Sequence, residues 1–307
     1  MFRTCTIALL LSTVAAPVAA QQDLSGVEVR TEQIAPGIAV LFGAGGNIAV
    51  SYGSDGTVVI DDQFAPLTTR IQTAIAALGA TPTKYLINTH WHYDHSGGNE
   101  NFGRTGAIIM AQDHVRDRMV AGGTVGGNAT PPAPAVALPV ITWHNGITVH
   151  LNGQRIRTHH MPHAHTDGDS VVWFQDANVF HMGDIYFNGR LPFIDLDSGG
   201  DVRGVLAAVE HVLTLANDES VIIPGHGPLA RRNDLIAYRD MLREVIGVVE
   251  REKAAGKTLE QIIAMHPAAR WDTNPNASSM GDAFVTAIYR SFDRPADENT
   301  AQEHSHH

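Results

Sequence analysis

The stretch NTHWHYDHSGGNENF, residues 88–102, places four potential metal ligands within six positions. His90 and His92 directly follow the short apolar run KYLIN, which we predict to be a buried strand. Residues two apart at the end of a strand can point to the same side, and Asp94 and His95 follow after the chain turns. Imidazole and carboxylate groups without thiolate favour Zn²⁺, with Fe or Mn as alternatives. The stretch therefore predicts a metal site at the end of a strand.

The N-terminus has the pattern of an export signal. It begins MFRTCTIALLLSTVAAPVAAQQD, with a single Arg3, an apolar run of about a dozen residues and a small-residue cleavage site at 18–20. We predict a signal peptide over residues 1–20 and a periplasmic or secreted protein with no membrane anchor after cleavage. A transmembrane anchor is the alternative, but the run is shorter than the roughly 20 apolar residues that a span needs.

Composition limits the classes of function. The chain has 307 residues, 17 histidines, a formal charge of -11 and one cysteine, Cys5, which lies in the predicted signal. The rest of the chain therefore has no disulfide, thiolate ligand or cysteine nucleophile. The acidic balance argues against a nucleic-acid partner, since such proteins usually carry a basic patch. A small-molecule substrate is the partner that remains.

The apolar pattern predicts strands with intervening helices in both halves of the chain. The predicted strands cover residues 37–42, 47–52, 57–61, 84–88, 107–110, 147–151, 155–159, 171–174, 179–182 and 220–223. The predicted helices cover residues 65–78, 112–120, 201–216, 232–255 and 259–265. This order is typical of an α/β protein in which two sheets pack face to face with helices outside.

Two segments fall outside this pattern. Residues 121–139 are rich in Gly, Pro and Ala, and we predict a long loop that is either an active-site flap or a flexible connection. Residues 295–307 form a polar tail that ends in EHSHH. The tail is interpreted as a disordered end or a tag remnant, with metal scavenging as the alternative. Between signal and tail, residues 21–294 are predicted to form one domain.

Four motifs resemble those of the metallo-β-lactamase superfamily. HWHYDH looks like the family's HxHxDH signature, and AHTDGDSVVWF, HMGDIYF and IPGHGP match its later motifs in the same order. The resemblance covers roughly residues 36–230, with C-terminal helices over about 232–290. It implies an αββα sandwich of two mixed β-sheets with outer helices.

The resemblance also implies a two-metal hydrolase. Its ligands would be His90, His92 and His165 for one ion, Asp94, His95 and His226 for the second, and Asp184 as the bridge. Two Zn²⁺ ions about 3.5–4 Å apart share a hydroxide whose pKa is lowered to roughly 7, which supplies a nucleophile at neutral pH. Asp94 and Asp184 are the predicted catalytic carboxylates.

Further candidates lie close to these ligands in the sequence. Asp61 matches a family position whose carboxylate supports the metal loop, the stretch that carries residues 90–95. The alternative is that Asp61 caps a helix or a turn. Tyr186, Asn188 and Arg190 could stabilise an oxyanion or hold an acid group of the substrate, and surface or packing roles are the alternatives.

The sequence predicts the type of reaction more precisely than it predicts the substrate. Several β-lactamases of the family have a cysteine where this chain has Asp184, and they often use a lysine for the drug carboxylate. The three lysines here do not match that position, so Arg190 is the candidate for an anionic group. Export argues against a glyoxalase II type of thioesterase, whose substrate is cytosolic. We predict a β-lactam, lactone or ester as substrate, with a thioesterase or a catalytically silent zinc-binding protein as alternatives.

Overall fold

The protein is described here from a computed structural model that covers residues 23–272 and 278–294. The predicted signal peptide, residues 1–20, and the predicted tail, residues 295–307, lie outside the described residues. None of the helices within the two described ranges is long and apolar enough to cross a membrane.

Fourteen strands are formed within the described residues. They are β1 (Arg30–Ala35), β2 (Ile38–Phe42), β3 (Ile48–Gly53), β4 (Gly56–Ile60), β5 (Thr83–Ile87), β6 (Ile108–Gln112), β7 (Gly123–Val125), β8 (Asn128–Thr130), β9 (Ile141–Trp143), β10 (Thr148–Leu151), β11 (Gln154–His160), β12 (Ser170–Phe174), β13 (Val179–His181) and β14 (Val221–Ile223).

Two of the three sheets form the sandwich, and both are mixed. The larger sheet has seven strands in the order β1-β2-β3-β4-β5-β6-β9 and changes from antiparallel to parallel pairing at β4. The smaller has five strands in the order β10-β11-β12-β13-β14, and only β13 and β14 pair in parallel. The mixed sheets confirm the predicted fold class. Strands β7 and β8 form a separate hairpin.

Helices cover the outer faces of both sheets. They are α1 (Thr68–Ala77), α2 (Tyr93–Ser96), α3 (Asn99–Arg104), α4 (Asp113–Ala121), α5 (Val202–Leu215), α6 (Arg232–Ala254), α7 (Leu259–Ile263) and α8 (Ser278–Ser291). Helix α5 shows why such a segment is helical. The Asp201 side chain caps its first turn by accepting from the Arg203 N–H, and Val205, Val209 and Val212 recur at helical spacing on the buried face.

Alternation along the strands separates two of the core layers. In β2, Val40 points between the sheets, whereas Leu41 packs on the outer face with Ile71 of α1. The inner layer also contains Val172 and Phe174 of the smaller sheet. A third layer joins the outer face of the smaller sheet to α5, α6 and α8. Central strands are therefore buried on both faces, which explains their continuous apolar runs.

The structure contains elements that were not predicted, among them the short helices α2 and α3. The predicted loop 121–139 contains the β7–β8 hairpin, because Gly126 and Gly127 supply the positive φ angles that a tight turn needs. Strands β1 and β9 were not predicted: both are edge strands, β1 is largely exposed and β9 has only three residues. Helix α8 lies within the predicted C-terminal helical region, but no individual helix was predicted there.

Candidate metal centre

The predicted metal ligands follow the ends of strands at one edge of the sandwich. His90 comes three residues after β5, Asp184 three residues after β13, and His226 three residues after β14. His165 lies in the turn between β11 and β12. The loop after β5 leads into α2, which carries Asp94 and His95. Segments that are far apart in the chain therefore bring their polar side chains to one place.

All seven predicted ligands meet in two groups. Within each group, one potential ligand atom per residue lies within 4.8 Å of the others; the groups are His90, His92, His165 and Asp184, and Asp94, His95 and His226. Asp184 lies between them. Its Oδ2 is 3.7 Å from Nε2 of His165, and its Oδ1 is 3.0 Å from Nε2 of His95 and 3.3 Å from Nε2 of His226.

Hydrogen bonds fix the histidines of the first group with their lone pairs facing inward. Nε2 of His92 donates to Oδ2 of Asp195 at 2.9 Å, and Nδ1 of His165 donates to the carbonyl of Phe193 at 2.8 Å. Because both acceptors lack protons, the remaining ring nitrogens carry lone pairs. These two nitrogens, Nδ1 of His92 and Nε2 of His165, are only 2.9 Å apart. Two lone pairs at this distance repel each other unless a proton or a metal ion lies between them.

The second group repeats this arrangement. Nδ1 of His95 donates to Oδ2 of Asp61 at 2.7 Å, and its Nε2 faces Nε2 of His226 at 3.3 Å. Asp61 also accepts from the backbone N–H and the hydroxyl of Thr89, at 2.7 and 2.8 Å. Its backbone has a φ of 61°, which is uncommon for a residue other than glycine. The carboxylate predicted to support the metal loop therefore contacts both His95 and the segment before His90.

Charge and burial in the centre favour a bound cation. Within the described residues, the buried Nε2 of His90 and Oδ1 of Asp184 have no hydrogen-bond partner. Burial and the neighbouring histidines hold the pKa of His90 well below its usual range, so its ring is neutral. Burial alone would raise the pKa of Asp184, but His226 and His95 outweigh it and hold that pKa well below the usual range. Burial would lower the pKa of His95 and of His226, but Asp184 and other neighbouring groups outweigh it and raise both. Metal binding by these two histidines would therefore displace protons.

These residues fit a divalent metal. Buried polar atoms are normally paired, and each unpaired atom here points into the cluster. Three imidazoles and a carboxylate form one group, and a carboxylate and two imidazoles form the other. Divalent cations bind such donor sets. A histidine ligand whose second nitrogen donates to a carboxylate or carbonyl is the usual arrangement around a metal.

Two glycines allow the chain to approach the ligands closely. A Cβ atom on Gly46 would overlap the ring of His95, and one on Gly225 would overlap Oδ1 of Asp184. The two glycines belong to loops that are tied together, because the Asn47 N–H donates to the Gly225 carbonyl at 2.7 Å. Close backbone packing therefore helps to fix both carboxylate and imidazole positions.

The remaining sequence candidates lie around this centre. Tyr186 is buried and packs against Tyr238, with ring centroids 4.8 Å apart, and burial raises the pKa of its hydroxyl. Asn188 donates to the carbonyl of Pro228 at 2.9 Å. Arg190 is exposed and lies 5.2 Å above the ring of Phe187, which itself stacks on His226. Arg190 is thus separated from the metal ligands by one aromatic ring.

Several functional contacts were not predicted from the sequence. Two histidines outside the predicted ligand set bind backbone carbonyls. Nε2 of His181 donates to the carbonyl of Asn47, and Nε2 of His160 donates to that of Asp167. Asp195 and the carbonyl of Phe193 hold His92 and His165, and neither is among the predicted residues. The segment FIDLDSGG that contains them showed a carboxylate in a glycine-containing turn, but nothing in it indicated which ligand it would contact.

Comparisons with known proteins show similar sequences and structures. The chain matches the family model described as the metallo-beta-lactamase superfamily over residues 43–226. It is 28% identical over 173 residues to a hydroxyacylglutathione hydrolase from Polaromonas sp.. That match covers 52% of this chain and 57% of the relative, so the chain spans little more than half the relative's length.

Solved structures share the fold. A metallo-beta-lactamase from Pontibacter korlensis is similar with a TM-score of 0.59 and 18% identity, over 70% of this chain and 99% of that one. A stereoselective inverting sec-alkylsulfatase from Pseudomonas sp. is similar with a TM-score of 0.64 and 15% identity, over 86% of this chain and 50% of that one. At these identities the likeness concerns the fold alone.

Proposed function

The chain belongs to the metallo-β-lactamase superfamily, and from that premise we propose that it is an exported dinuclear zinc hydrolase that cleaves the acyl bond of a lactone, ester or β-lactam. The observation that carries the proposal is the position of Asp184. Its two oxygens face different groups of ligands, one towards His165 and the other towards His95 and His226. A carboxylate in this position is suited to bridge two ions.

The two groups differ in their access to solvent. The side chains of His90 and His165 are 1% and 0% exposed, whereas those of Asp94 and His226 are 29% and 14% exposed. A substrate can therefore reach the centre from the side of Asp94 and His226. A site that served only to store metal would not need an open side.

Hydrolysis in this centre requires an activated water and a polarised carbonyl. Divalent cations supply both, by lowering the pKa of water and by acting as Lewis acids on the carbonyl oxygen. Asp94 and Asp184 can accept hydrogen bonds from the water and so orient it. Water adds to the carbonyl carbon and the bond to the leaving group breaks, which gives a carboxylic acid and an alcohol or amine.

The positions of the three lysines favour a substrate that has no essential anionic group. Lys253 is bound to Asp293 at 2.6 Å and Lys257 to Glu252 at 2.6 Å, both in the C-terminal helical region. Lys84 lies near the start of β5, at the opposite end from the metal ligands. The carboxylate of a β-lactam would depend on Arg190. We therefore place lactones and esters ahead of β-lactams.

A thioester is the second candidate. The relative from Polaromonas sp. carries the name hydroxyacylglutathione hydrolase, and a thioester carbonyl presents the same acyl bond to the centre. We propose export on the basis of residues 1–20 alone. Export disfavours a cytosolic thioester, so the N-terminal sequence of the protein recovered from a periplasmic extract would discriminate between the two candidates.

The test is a combined metal and substrate assay. We expect about two zinc ions per chain by elemental analysis, and chelator-sensitive turnover of chromogenic lactones, esters, lactams or thioesters. Asp184→Asn should lower kcat/KM by at least about 100-fold, because even outer-shell partners cost about 10- to 100-fold. His304→Ala, outside the described residues, is the control and should have no effect. Two bound ions without turnover above that of free zinc would instead support the silent zinc-binding protein.

A further inference from the structure

The metal loop borders an apolar cavity that the proposed chemistry does not use. The cavity has a volume of about 190 Å³. Its wall includes Trp91, Tyr93, Met119, Pro131, Ala133 and Ala137. We call this cavity the apolar pocket. Cavities of about 150 Å³ lined by apolar side chains bind benzene. The apolar pocket is therefore large enough for a phenyl ring or a short alkyl chain.

Two residues of the pocket wall flank a metal ligand in the chain. Trp91 and Tyr93 are the chain neighbours of His92, so their Cα atoms are about 3.8 Å from its Cα. Tyr93 is 52% exposed and precedes Asp94, whose side chain is exposed at the open side of the centre. Trp91 is almost fully buried and donates from its indole N–H to the Ser198 hydroxyl at 3.0 Å. One side of the metal loop thus holds the ligands and another forms the pocket wall.

The β7–β8 hairpin joins the apolar pocket to the first group of ligands. A Cβ atom on Gly123 would lie 3.2 Å from the ring of Trp91, and one on Gly126 would lie 4.0 Å from the ring of Phe193. Phe193 is 38% exposed and packs 6.1 Å from the ring of His92 and 5.7 Å from that of His165. The hairpin therefore lies beside both the wall of the pocket and the rim of the centre.

The lining of the pocket selects against anions. Among its described lining residues, Glu100 is the only charged one, and it is bonded to Arg104 in the next turn. The hydroxyl of Ser96 is already committed to the carbonyls of Trp91 and His92, at 3.0 and 3.1 Å. A carboxylate or phosphate would find repulsion and few donors there, whereas a neutral hydrocarbon group would bury apolar surface.

We propose that the apolar pocket binds the acyl group of the substrate and makes the enzyme selective for neutral aryl or medium-chain alkyl acyl groups. This proposal rests on the proposed hydrolase function and narrows its substrate class. The acyl side is assigned because the hairpin lies beside both Trp91 of the pocket and Phe193, and Phe193 packs near His92 and His165 of the more buried group. The leaving group then points to the open side at Asp94 and His226.

Ala133 is the position at which to test the pocket. Its backbone N–H donates to the carbonyl of Met119 at 2.8 Å, so the chain is anchored there while the side chain faces the cavity. Ala133→Phe should fill the cavity. Ala135→Phe is the matched control, because Ala135 is exposed and does not line the pocket. If Ala133→Phe does not fold, Ala133→Leu takes its place.

The kinetic assay uses zinc-loaded protein and p-nitrophenyl acetate, butyrate, hexanoate and phenylacetate. Because each buried methylene is worth about fourfold, kcat/KM should rise at least about tenfold from acetate to hexanoate in the wild type. In Ala133→Phe this rise should disappear through KM, whereas Ala135→Phe should keep both the rise and the acetate turnover of the wild type. A hexanoate preference that persists in Ala133→Phe, or an equal loss in Ala135→Phe, would overturn the proposal.

A binding measurement separates this proposal from the proposed function. Saturable binding of benzyl alcohol, a neutral probe, is followed by tryptophan fluorescence and ligand-observed NMR. The wild type and Ala135→Phe should bind it, and Ala133→Phe should bind it at least about tenfold more weakly. If no ester is hydrolysed but this pattern holds, the hydrolase proposal fails and the pocket remains. If the wild type shows no saturable binding, the pocket proposal fails whatever the enzyme hydrolyses.

Discussion

At the residue scale, the orientation of His92 depends on a carboxylate 103 positions further along the chain. Asp195 is 3% exposed and accepts from Nε2 of His92 at 2.9 Å. Asp195→Asn keeps the shape but weakens this acceptor and allows the other ring tautomer. Because outer-shell partners of metal ligands are worth about 10- to 100-fold, we expect metal affinity to fall by that factor. Competition with a chromogenic chelator measures this affinity directly.

Asp197→Asn is the matched control for that substitution. Asp197 lies in the same turn but is exposed, so its removal should leave metal affinity unchanged. A second readout is the number of ions retained after dialysis, which should fall below two in Asp195→Asn. Equal affinities for the two variants would show that the contact between Asp195 and His92 does not support metal binding.

The local pattern of the sequence predicts some of these residues and not others. His90, His92, Asp94 and His95 share one loop, so their spacing alone indicates a metal site. His165, Asp184 and His226 became candidates only through a family resemblance, since each lies in a separate turn. The Phe193 carbonyl that holds His165 has no sequence signal at all, because every residue has a carbonyl group.

At the scale of elements, α6 offers a test of helix stability that does not touch the metal centre. Gly247 lies inside this helix, and a Cβ atom there would have no neighbour within 4 Å. Since glycine within a helix is destabilising by roughly 0.5–1 kcal/mol relative to alanine, Gly247→Ala should raise the free energy of unfolding by about that amount. Urea denaturation of the zinc-loaded protein measures it.

Gly256, just after the same helix, provides the control of opposite sign. A Cβ atom there also has open space, but the backbone has a φ of +85°. Because an alanine in the left-handed region costs roughly 1–2 kcal/mol, Gly256→Ala should lower the free energy of unfolding. Stabilisation by both substitutions would show that helix propensity and backbone conformation do not determine stability here.

Elements were predicted well where burial imposes a strong pattern. Strands such as β4 and β12 have long buried runs, and α5 repeats valine on one face. The edge strands β1 and β9 lack that pattern because one side of each has no neighbouring strand and their residues are largely exposed. The hairpin was missed for a related reason, since its residues are mostly exposed.

At the scale of the whole molecule, the alternation of strands and helices indicates two sheets but not their strand order. Strand β9 joins the larger sheet beside β6, after the chain has passed through α4 and the hairpin. Strand β14 pairs in parallel with β13 across α5. These pairings depend on contacts between distant segments, which local periodicity does not report. The metal centre lies where such segments converge.

The centre therefore links both halves of the sandwich, and metal removal should destabilise the whole molecule. His90 to His95 follow a strand of the larger sheet, whereas Asp184 and His226 follow strands of the smaller one. A ligand that binds only the folded state at 1,000 times its Kd stabilises by about 4 kcal/mol. At about 2–4 °C per kcal/mol for a domain of this size, chelation should lower Tm by roughly 8–16 °C.

Differential scanning calorimetry with and without chelator measures the shift. Asp184→Asn should reduce it and His304→Ala should preserve it, whereas an unchanged Tm after complete zinc removal would show that the two sheets do not depend on the metals.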